Sequence, residues 1–153
     1  MEQELKQLLE DWQAMRQLTL DLLEELPEDN LSFTVGKGMG TIGKQFRHIG
    51  DVQICYADAL VARKISFNKY KRDYTIESSK EKLQEFLREV DQEMLKLVKE
   101  NSSIEIDWFG EKLNLKQHIK ALLEHEILHH GELVVYIKIL GIKFPKSWSL
   151  WGL

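Results

Sequence analysis

Four long stretches of this chain repeat apolar residues at steps of three and four, the spacing of one face of an α-helix. The 153 residues contain only two prolines. Pro27 follows the first stretch and Pro145 follows the last. Low proline content favours long helices over a turn-rich β-sandwich, and this length fits one domain. We therefore predict an all-α protein, a four-helix bundle that forms a single domain over residues 1–153.

Capping residues indicate where these helices begin and end. The predicted helices span about residues 2–26, 41–62, 78–101 and 114–140. Thr41 and Asn114 are good N-cap residues, and Ser78 with Glu81 matches a capping box. Gly141 suits the position that follows the last helix.

The segments between and within the helices carry further signals. Residues 28–40 are predicted to be a loop, and residues 148–153 form a short aromatic tail. Residues 104–113 begin with alternating apolar and polar side chains, which predicts a strand-like or hairpin-like connector. Gly43 and Gly50 lower the helix propensity of the second helix. Packing must compensate there, or another group must approach the backbone closely.

Charge and cysteine content exclude several classes of protein. Lys and Arg number 21 against 25 Asp and Glu, a net charge of -4, which is not typical of proteins that bind nucleic acids or anionic membranes. The basic segment 64–72 is diluted by uncharged residues and is predicted to be a solvated loop. Cys55 is the lone cysteine, so we expect no intrachain disulfide and a reducing, cytoplasmic location. No signal peptide or membrane-spanning run is recognised.

The chain has five histidines: His48, His118, His125, His129 and His130. His125 and His129 are spaced i, i+4 and project from one face of the last helix, the apolar face. Unpaired buried polar groups cost about 1–3 kcal/mol each, so these imidazoles need partners. A divalent metal suits them, because neutral imidazole is its commonest ligand.

Residues 125–129 read His-Glu-Ile-Leu-His and match the H-E-x-x-H pattern of zincin metalloproteases, in which the Glu is the general base. A zincin takes its third ligand downstream. The extended metzincin pattern requires Gly where Glu132 stands and His where Val135 stands, so it fails here. A metalloprotease therefore stays a remote alternative. We predict that Glu126 faces solvent or supports a ligand from outside the coordination sphere.

A third ligand must then come from another helix, and His48 is the best candidate. Asp51 and Cys55 lie one and two turns further along the same face of the second helix. Three His ligands leave a coordination position open for water or substrate, which is the pattern of catalytic rather than structural zinc sites. Zn²⁺ or Ni²⁺ suits an all-imidazole site, and affinity order does not choose between them.

The other candidate residues receive secondary roles. His118, seven residues before His125, is a reserve ligand. His130 is predicted at the edge of the site or on the surface. Glu132, three residues after His129, is predicted to orient an imidazole as an acceptor outside the coordination sphere. Cys55 is most simply a small core residue.

Three stretches resemble the DinB-like superfamily of small metal-binding four-helix proteins, which includes the YfiT-type enzymes. Residues 41–49 resemble the family's start of helix two, which ends in its first His ligand. Residues 125–133 resemble its H-x-x-x-H-R-G-Q-I signature, and residues 136–141 with Pro145 resemble the segment that follows. By position, the resemblance implies a metal triad of His48, His125 and His129.

The resemblance also implies metal-dependent transfer chemistry. Members include thiol S-transferases that use bacillithiol, mycothiol or glutathione, and a thiol-dependent isomerase, and several members form dimers through helix packing. His130 stands where Arg is common and Glu132 where Gln is common, so the metal site is better supported than any particular substrate.

We therefore expect a divalent-metal-binding enzyme of the thiol S-transferase or hydrolase type that acts on small molecules, with a low-molecular-weight thiol as a candidate partner. The reactive group would be a water or thiol held by the metal. A homodimer without nucleic-acid or membrane partners is expected. The alternative is a non-catalytic module for metal binding or dimerisation.

Overall fold

The computed structural model describes residues 3–67, 72–101 and 103–153. Its four long helices are α1 (Gln3–Glu25), α2 (Ile42–Ala62), α3 (Lys80–Glu100) and α4 (Leu115–Leu140). α1 packs against α4, and α2 packs against both α3 and α4. The predicted all-α fold with four long helices is confirmed. Among the predictions above, those that fall on Glu2, residues 68–71 and Ser102 lie outside the described residues.

Most helix ends lie where the capping residues predicted them. Thr41 Oγ1 accepts a hydrogen bond from the Lys44 amide at 3.1 Å. Asn114 caps α4 in a full capping box with Gln117. Gly141 follows α4 with a φ of 66°, a left-handed conformation that glycine adopts at little cost.

The predicted cap of the third helix is wrong by one residue. Ser79, not Ser78, accepts from the Lys82 amide and caps α3. Ser78 ends a 3-10 helix, Tyr74–Ser78, that precedes α3. With Ser79 as the N-cap, the third helical position is Lys82 rather than Glu81, so the predicted capping box does not form.

The connector between α3 and α4 is a β-hairpin, as predicted. Strands β1 (Glu105–Trp108) and β2 (Glu111–Asn114) pair antiparallel through a two-residue turn. Phe109 and Gly110 both have positive φ, 54° and 100°, which is the signature of a type I′ turn. The Gly110 amide donates to Asp107 Oδ1 at 2.7 Å.

Two other segments contain short 3-10 helices. The predicted loop 28–40 begins with one, Glu28–Ser32. The aromatic tail overlaps another, Lys146–Trp151. Trp148 is fully buried in the latter, and its Nε1–H donates to the Leu18 carbonyl at 2.9 Å. This contact ties the tail to α1.

The two glycines of α2 sit where other groups approach the helix. A Cβ at Gly43 would lie 1.9 Å from the carbonyl oxygen of Glu77. A Cβ at Gly50 would lie 2.3 Å from Cε1 of Phe86. The predicted close approach is therefore confirmed at both positions, and it lets the 3-10 helix Tyr74–Ser78 and α3 pack tightly on α2.

Within the described part of the chain, the interior contains two hydrophobic clusters, which draw on different halves of the helices. One takes residues 5–12 of α1 and 115–122 of α4, and the other takes residues 18–23 of α1, Leu26 just after it, and residues 133–137 of α4. The stretch of α4 between these two halves carries buried polar side chains, including Glu126, His129 and His130. This polar stretch of the interior holds the candidate site. None of the described helices is long and apolar enough to cross a membrane.

Candidate metal centre

Three histidines from two helices meet inside the bundle. His48 lies on α2, and His125 and His129 lie one turn apart on α4. Each offers a ring nitrogen, and the three nitrogens lie within 4.8 Å of one another. His125 Nε2 and His129 Nε2 are only 3.1 Å apart. The structure thus brings together the three residues that the sequence singled out.

This spacing fits a single metal ion. Two nitrogens bound tetrahedrally to one Zn²⁺ at about 2.0–2.1 Å are about 3.3 Å apart. The His125–His129 nitrogen distance of 3.1 Å is close to that value. His129 is buried, and His48 and His125 are half-buried, so the cluster lies at the edge of the interior rather than on an open surface.

Burial keeps two of these imidazoles in the form that binds metals. It lowers the pKa of His125 to about 3, with His129 and His48 adding to the effect. Burial likewise lowers the pKa of His48 to about 4, helped by His129 and Arg47. Both rings are therefore neutral at pH 7, and neutral imidazole is the ligand form.

Two oxygens on different helices fix the orientation of His129. Glu132 Oε2 lies 2.8 Å from His129 Nδ1, and Gln45 Oε1 lies 3.0 Å from the same nitrogen. Both oxygens are acceptors, so Nδ1 carries the proton. The lone pair of Nε2 then faces the cluster, which is the arrangement that a metal ligand needs.

Glu132 occupies the position that its i, i+3 spacing predicted, whereas Gln45 was missed. Gln45 comes from α2 and is 8% exposed. Its one sequence signal is the spacing of three residues before His48, which places both on one side of α2.

The solvent-facing alternative for Glu126 and the surface alternative for His130 are wrong, because both side chains are buried. Glu126 is 1% exposed, and its Oε1 accepts from Thr19 Oγ1 at 2.5 Å and lies 3.1 Å from Arg16 Nε. His130 is 3% exposed, packs on Trp148 at a centroid distance of 4.9 Å, and contacts Thr19 through Nε2. Both residues face α1, which a helical pattern in α4 alone does not reveal.

The contacts of Glu126 also argue against the hypothesis that the chain is an H-E-x-x-H metalloprotease. A zincin glutamate must reach the water beside the metal to act as a general base. Here the carboxylate is paired with Arg16 and Thr19 on α1. Burial raises its pKa, although Arg16 opposes that shift.

His118 is not part of the cluster. Its Nδ1 accepts from Trp108 Nε1–H at 3.0 Å, so its Nε2 carries the proton and donates to the Tyr56 carbonyl at 3.0 Å. Both ring nitrogens are occupied by protein groups. The prediction of His118 as a reserve ligand is therefore wrong.

The two other candidates on α2 also lie outside the three-histidine group, judged over the described residues. Asp51 is buried and pairs with Arg47, with Arg72 at 3.8 Å from its Oδ2. Cys55 is buried in a hydrophobic cluster, and burial raises the pKa of its thiol. Cys55 thus has the surroundings of the small core residue that we predicted.

Comparison with known proteins agrees with this architecture. The sequence profile of the DinB family matches residues 1–150, so this chain belongs to the DinB family. None of the proteins with curated functions matches it significantly.

Two solved structures share the fold. A DinB-like protein of Bacillus subtilis (YjoA) has 21% sequence identity and a TM-score of 0.71, with 92% of this chain and 97% of that chain covered. A DinB-like protein of Bacillus cereus has 20% identity and a TM-score of 0.74, with 90% and 93% covered. At these identities the likeness establishes the fold alone.

Proposed function

We propose that His48, His125 and His129 bind one divalent metal ion, Zn²⁺ or Ni²⁺, and that the chain is a metal-dependent enzyme acting on small molecules. The observation that carries the proposal is the convergence of three ring nitrogens within 4.8 Å. Neutral imidazoles and an acceptor behind His129 support it, because both features favour metal ligation.

The number of ligands supports a catalytic role, and the resemblance to the DinB-like thiol S-transferases suggests the reaction class. Three protein ligands leave a coordination position for a small molecule, as in catalytic zinc sites. A bound ion there would act as a Lewis acid that lowers the pKa of a thiol or a water. The protein itself holds the imidazoles of His48 and His125 neutral and fixes the tautomer of His129 through Glu132 and Gln45. We assign the enzyme to the thiol S-transferase or hydrolase type, located in the cytoplasm.

A thiol titration tests this assignment. The Co²⁺-loaded chain should gain a sulfur-to-cobalt charge-transfer band when a small thiol such as cysteine or glutathione is added. When an alkylating electrophile is then supplied, the same preparation should consume thiol faster than the reaction without protein does. His125→Ala is the control, because it removes a proposed ligand. The absence of both a new band and turnover across a panel of thiols, electrophiles and hydrolysable esters would contradict the enzyme assignment.

Dimerisation, which we expect for the enzyme and for the alternative non-catalytic module alike, is supported by one observation. Leu128, Val135 and Ile139 lie on one side of α4 and are 61%, 51% and 60% exposed. A row of apolar side chains on a long helix is self-complementary, so a second copy can cover it by a twofold contact. Sedimentation should give twice the 18.0 kDa chain mass, and Val135→Glu should return the monomer. A native monomer would exclude the homodimer.

A further inference from the structure

One hydroxyl on α1 contacts the residue that follows each of the two proposed ligands on α4. Thr19 Oγ1 lies 2.5 Å from Glu126 Oε1 and 2.7 Å from His130 Nε2. Glu126 follows His125 in the sequence, and His130 follows His129. Residues four apart span about one helical turn. Thr19 therefore contacts both ends of the turn that carries the two histidines.

The two contacts of this hydroxyl depend on each other. A threonine hydroxyl has one proton to donate and lone pairs that accept. A carboxylate accepts only, so the proton goes to Glu126 and the oxygen accepts from His130 Nε2–H. Thr19 is fully buried, so its hydroxyl does not face bulk solvent. A hydroxyl at this place bonds to both α4 residues at once, whereas a methyl group bonds to neither.

The Thr19 contact belongs to a buried network that reaches all four helices. Arg16, one turn before Thr19 on α1, lies 3.1 Å from Glu126 on α4. Its Nη2 donates to Gln53 Oε1 on α2 at 2.5 Å. Gln53 Nε2 in turn donates to Asp91 Oδ1 on α3 at 2.9 Å. The network thus connects α4, which carries two proposed ligands, to α2, which carries the third.

We propose that Thr19 is a positioning residue, whose hydroxyl holds α4 at the rotation at which His125 and His129 meet His48. The proposal rests on the proposed metal site. Side-chain tips lie about 6 Å from a helix axis, so a rotation of about 10° moves a ring nitrogen by about 1 Å. Metal–ligand distances are held to about 0.2 Å. A small rotation of α4 is therefore enough to spoil the site without unfolding the bundle.

Cobalt binding to four forms of the full chain tests this role: the native protein, Thr19→Val, Thr19→Ser and Tyr136→Phe. Thr19→Val keeps the shape and deletes the hydroxyl, while Thr19→Ser restores it. Tyr136→Phe is the matched control, because it deletes a hydroxyl on α4 that donates to the Gly40 carbonyl at 2.7 Å. The readouts are the Co²⁺ dissociation constant and the visible absorption bands, whose intensity reports coordination geometry. The unfolding midpoint is measured alongside them.

Thr19→Val should weaken Co²⁺ binding by about tenfold or more, the usual cost of losing support behind a ligand, and should change the visible bands. Thr19→Ser and Tyr136→Phe should keep native bands and bind Co²⁺ within about threefold of the native protein. A merely structural role for Thr19 would lower the unfolding midpoint and leave the bands unchanged.

The outcomes separate the two proposals. A native protein without cobalt bands typical of histidine ligation overturns the metal site, and the role of Thr19 with it. Native cobalt binding with an unchanged Thr19→Val variant overturns the role of Thr19 alone, as does an equal loss in Tyr136→Phe. If Thr19→Val does not fold, His130→Phe replaces it, since the ring against Trp148 is kept and the bond to Thr19 is lost. A folded His130→Phe with native bands and affinity overturns the positioning role.

Discussion

His118 and His129 lie on the same helix, but their nitrogens face different kinds of partner. His118 donates to the Tyr56 carbonyl and accepts from Trp108, so both its nitrogens are used by the protein. His129 directs Nδ1 to Glu132 and Gln45 and Nε2 to His125. Their spacing on α4 does not distinguish them. The difference comes from the hairpin strand β1, which places Trp108 over His118.

His118→Leu tests the structural role of that histidine. The change leaves the buried Tyr56 carbonyl without its side-chain donor and the Trp108 N–H without its acceptor. We expect the free energy of unfolding to fall by about 1–3 kcal/mol. Urea denaturation measures this loss. The amount of metal bound per folded chain should stay at the native value, and a fall in it would show that His118 is a ligand after all.

Glu132→Ala tests the support behind His129. Removing the carboxylate that accepts from Nδ1–H should weaken metal binding by about tenfold, because such partners orient the ligand and raise its basicity. Competition with a chromogenic chelator measures the affinity. Glu124→Ala is the matched control on the same helix, since Glu124 is exposed and pairs only loosely with Lys120 at 3.5 Å. Equal affinities in the two variants would contradict the role of Glu132.

At the level of single elements, local chemistry predicted the ends of the helices well. Thr41, Asn114 and Gly141 act through their own backbone and nearest neighbours, so the sequence carries the whole signal. The cap of α3 was misplaced by one residue because the 3-10 helix Tyr74–Ser78 takes up Ser78. Such short 3-10 helices leave a weak sequence pattern, and their packing on α2 decides where they end.

Two glycines, each in a helix, should respond in opposite ways to an added methyl group. Gly43→Ala places Cβ against the Glu77 backbone, so we expect a loss of about 1–3 kcal/mol in the free energy of unfolding. A Cβ at Gly131 meets no atom of the described residues within 4 Å beyond its chain neighbours and its own helix backbone, so Gly131→Ala is expected to gain up to about 1 kcal/mol from helix propensity. Urea denaturation of both variants measures the two changes in the free energy of unfolding. A Gly43→Ala protein with the native free energy of unfolding would contradict the close packing of Tyr74–Ser78 on α2.

Across the whole molecule, the buried polar stretch between the two hydrophobic clusters was only partly predictable. The sequence identified His125 and His129 through their i, i+4 spacing on the apolar face of one helix. It identified His48 because no downstream ligand fits and because residues 41–49 resemble the DinB-like family. It did not reveal that Glu126 and His130 are buried, because their partners Arg16 and Thr19 lie more than a hundred residues away on α1. Contacts across the bundle are set by how the helices pack, which periodicity does not specify.

Buried histidines make the stability of the metal-free protein depend on pH. Burial lowers the pKa of both His118 and His130 from 6.5 to about 4. The unfolded chain therefore binds more protons between these values, and stability is fully present above pH 6.5 and is lost as pH falls toward 4. The slope approaches about 1.4 kcal/mol per pH unit for each such histidine. Urea denaturation of the native protein and of His118→Leu at several pH values measures the share of His118, and equal slopes between pH 7 and 4 in the two proteins would contradict the burial of its ring.

The central claim is that one metal ion is held by histidines from α2 and α4, and elemental analysis of the purified chain tests it most directly. The native protein should contain about one divalent ion per chain, and so should His118→Leu. His48→Ala, His125→Ala and His129→Ala should each lose most of that metal while keeping their helical circular dichroism. Native metal content in all three of these variants, or no metal uptake by the folded native protein, would contradict the account.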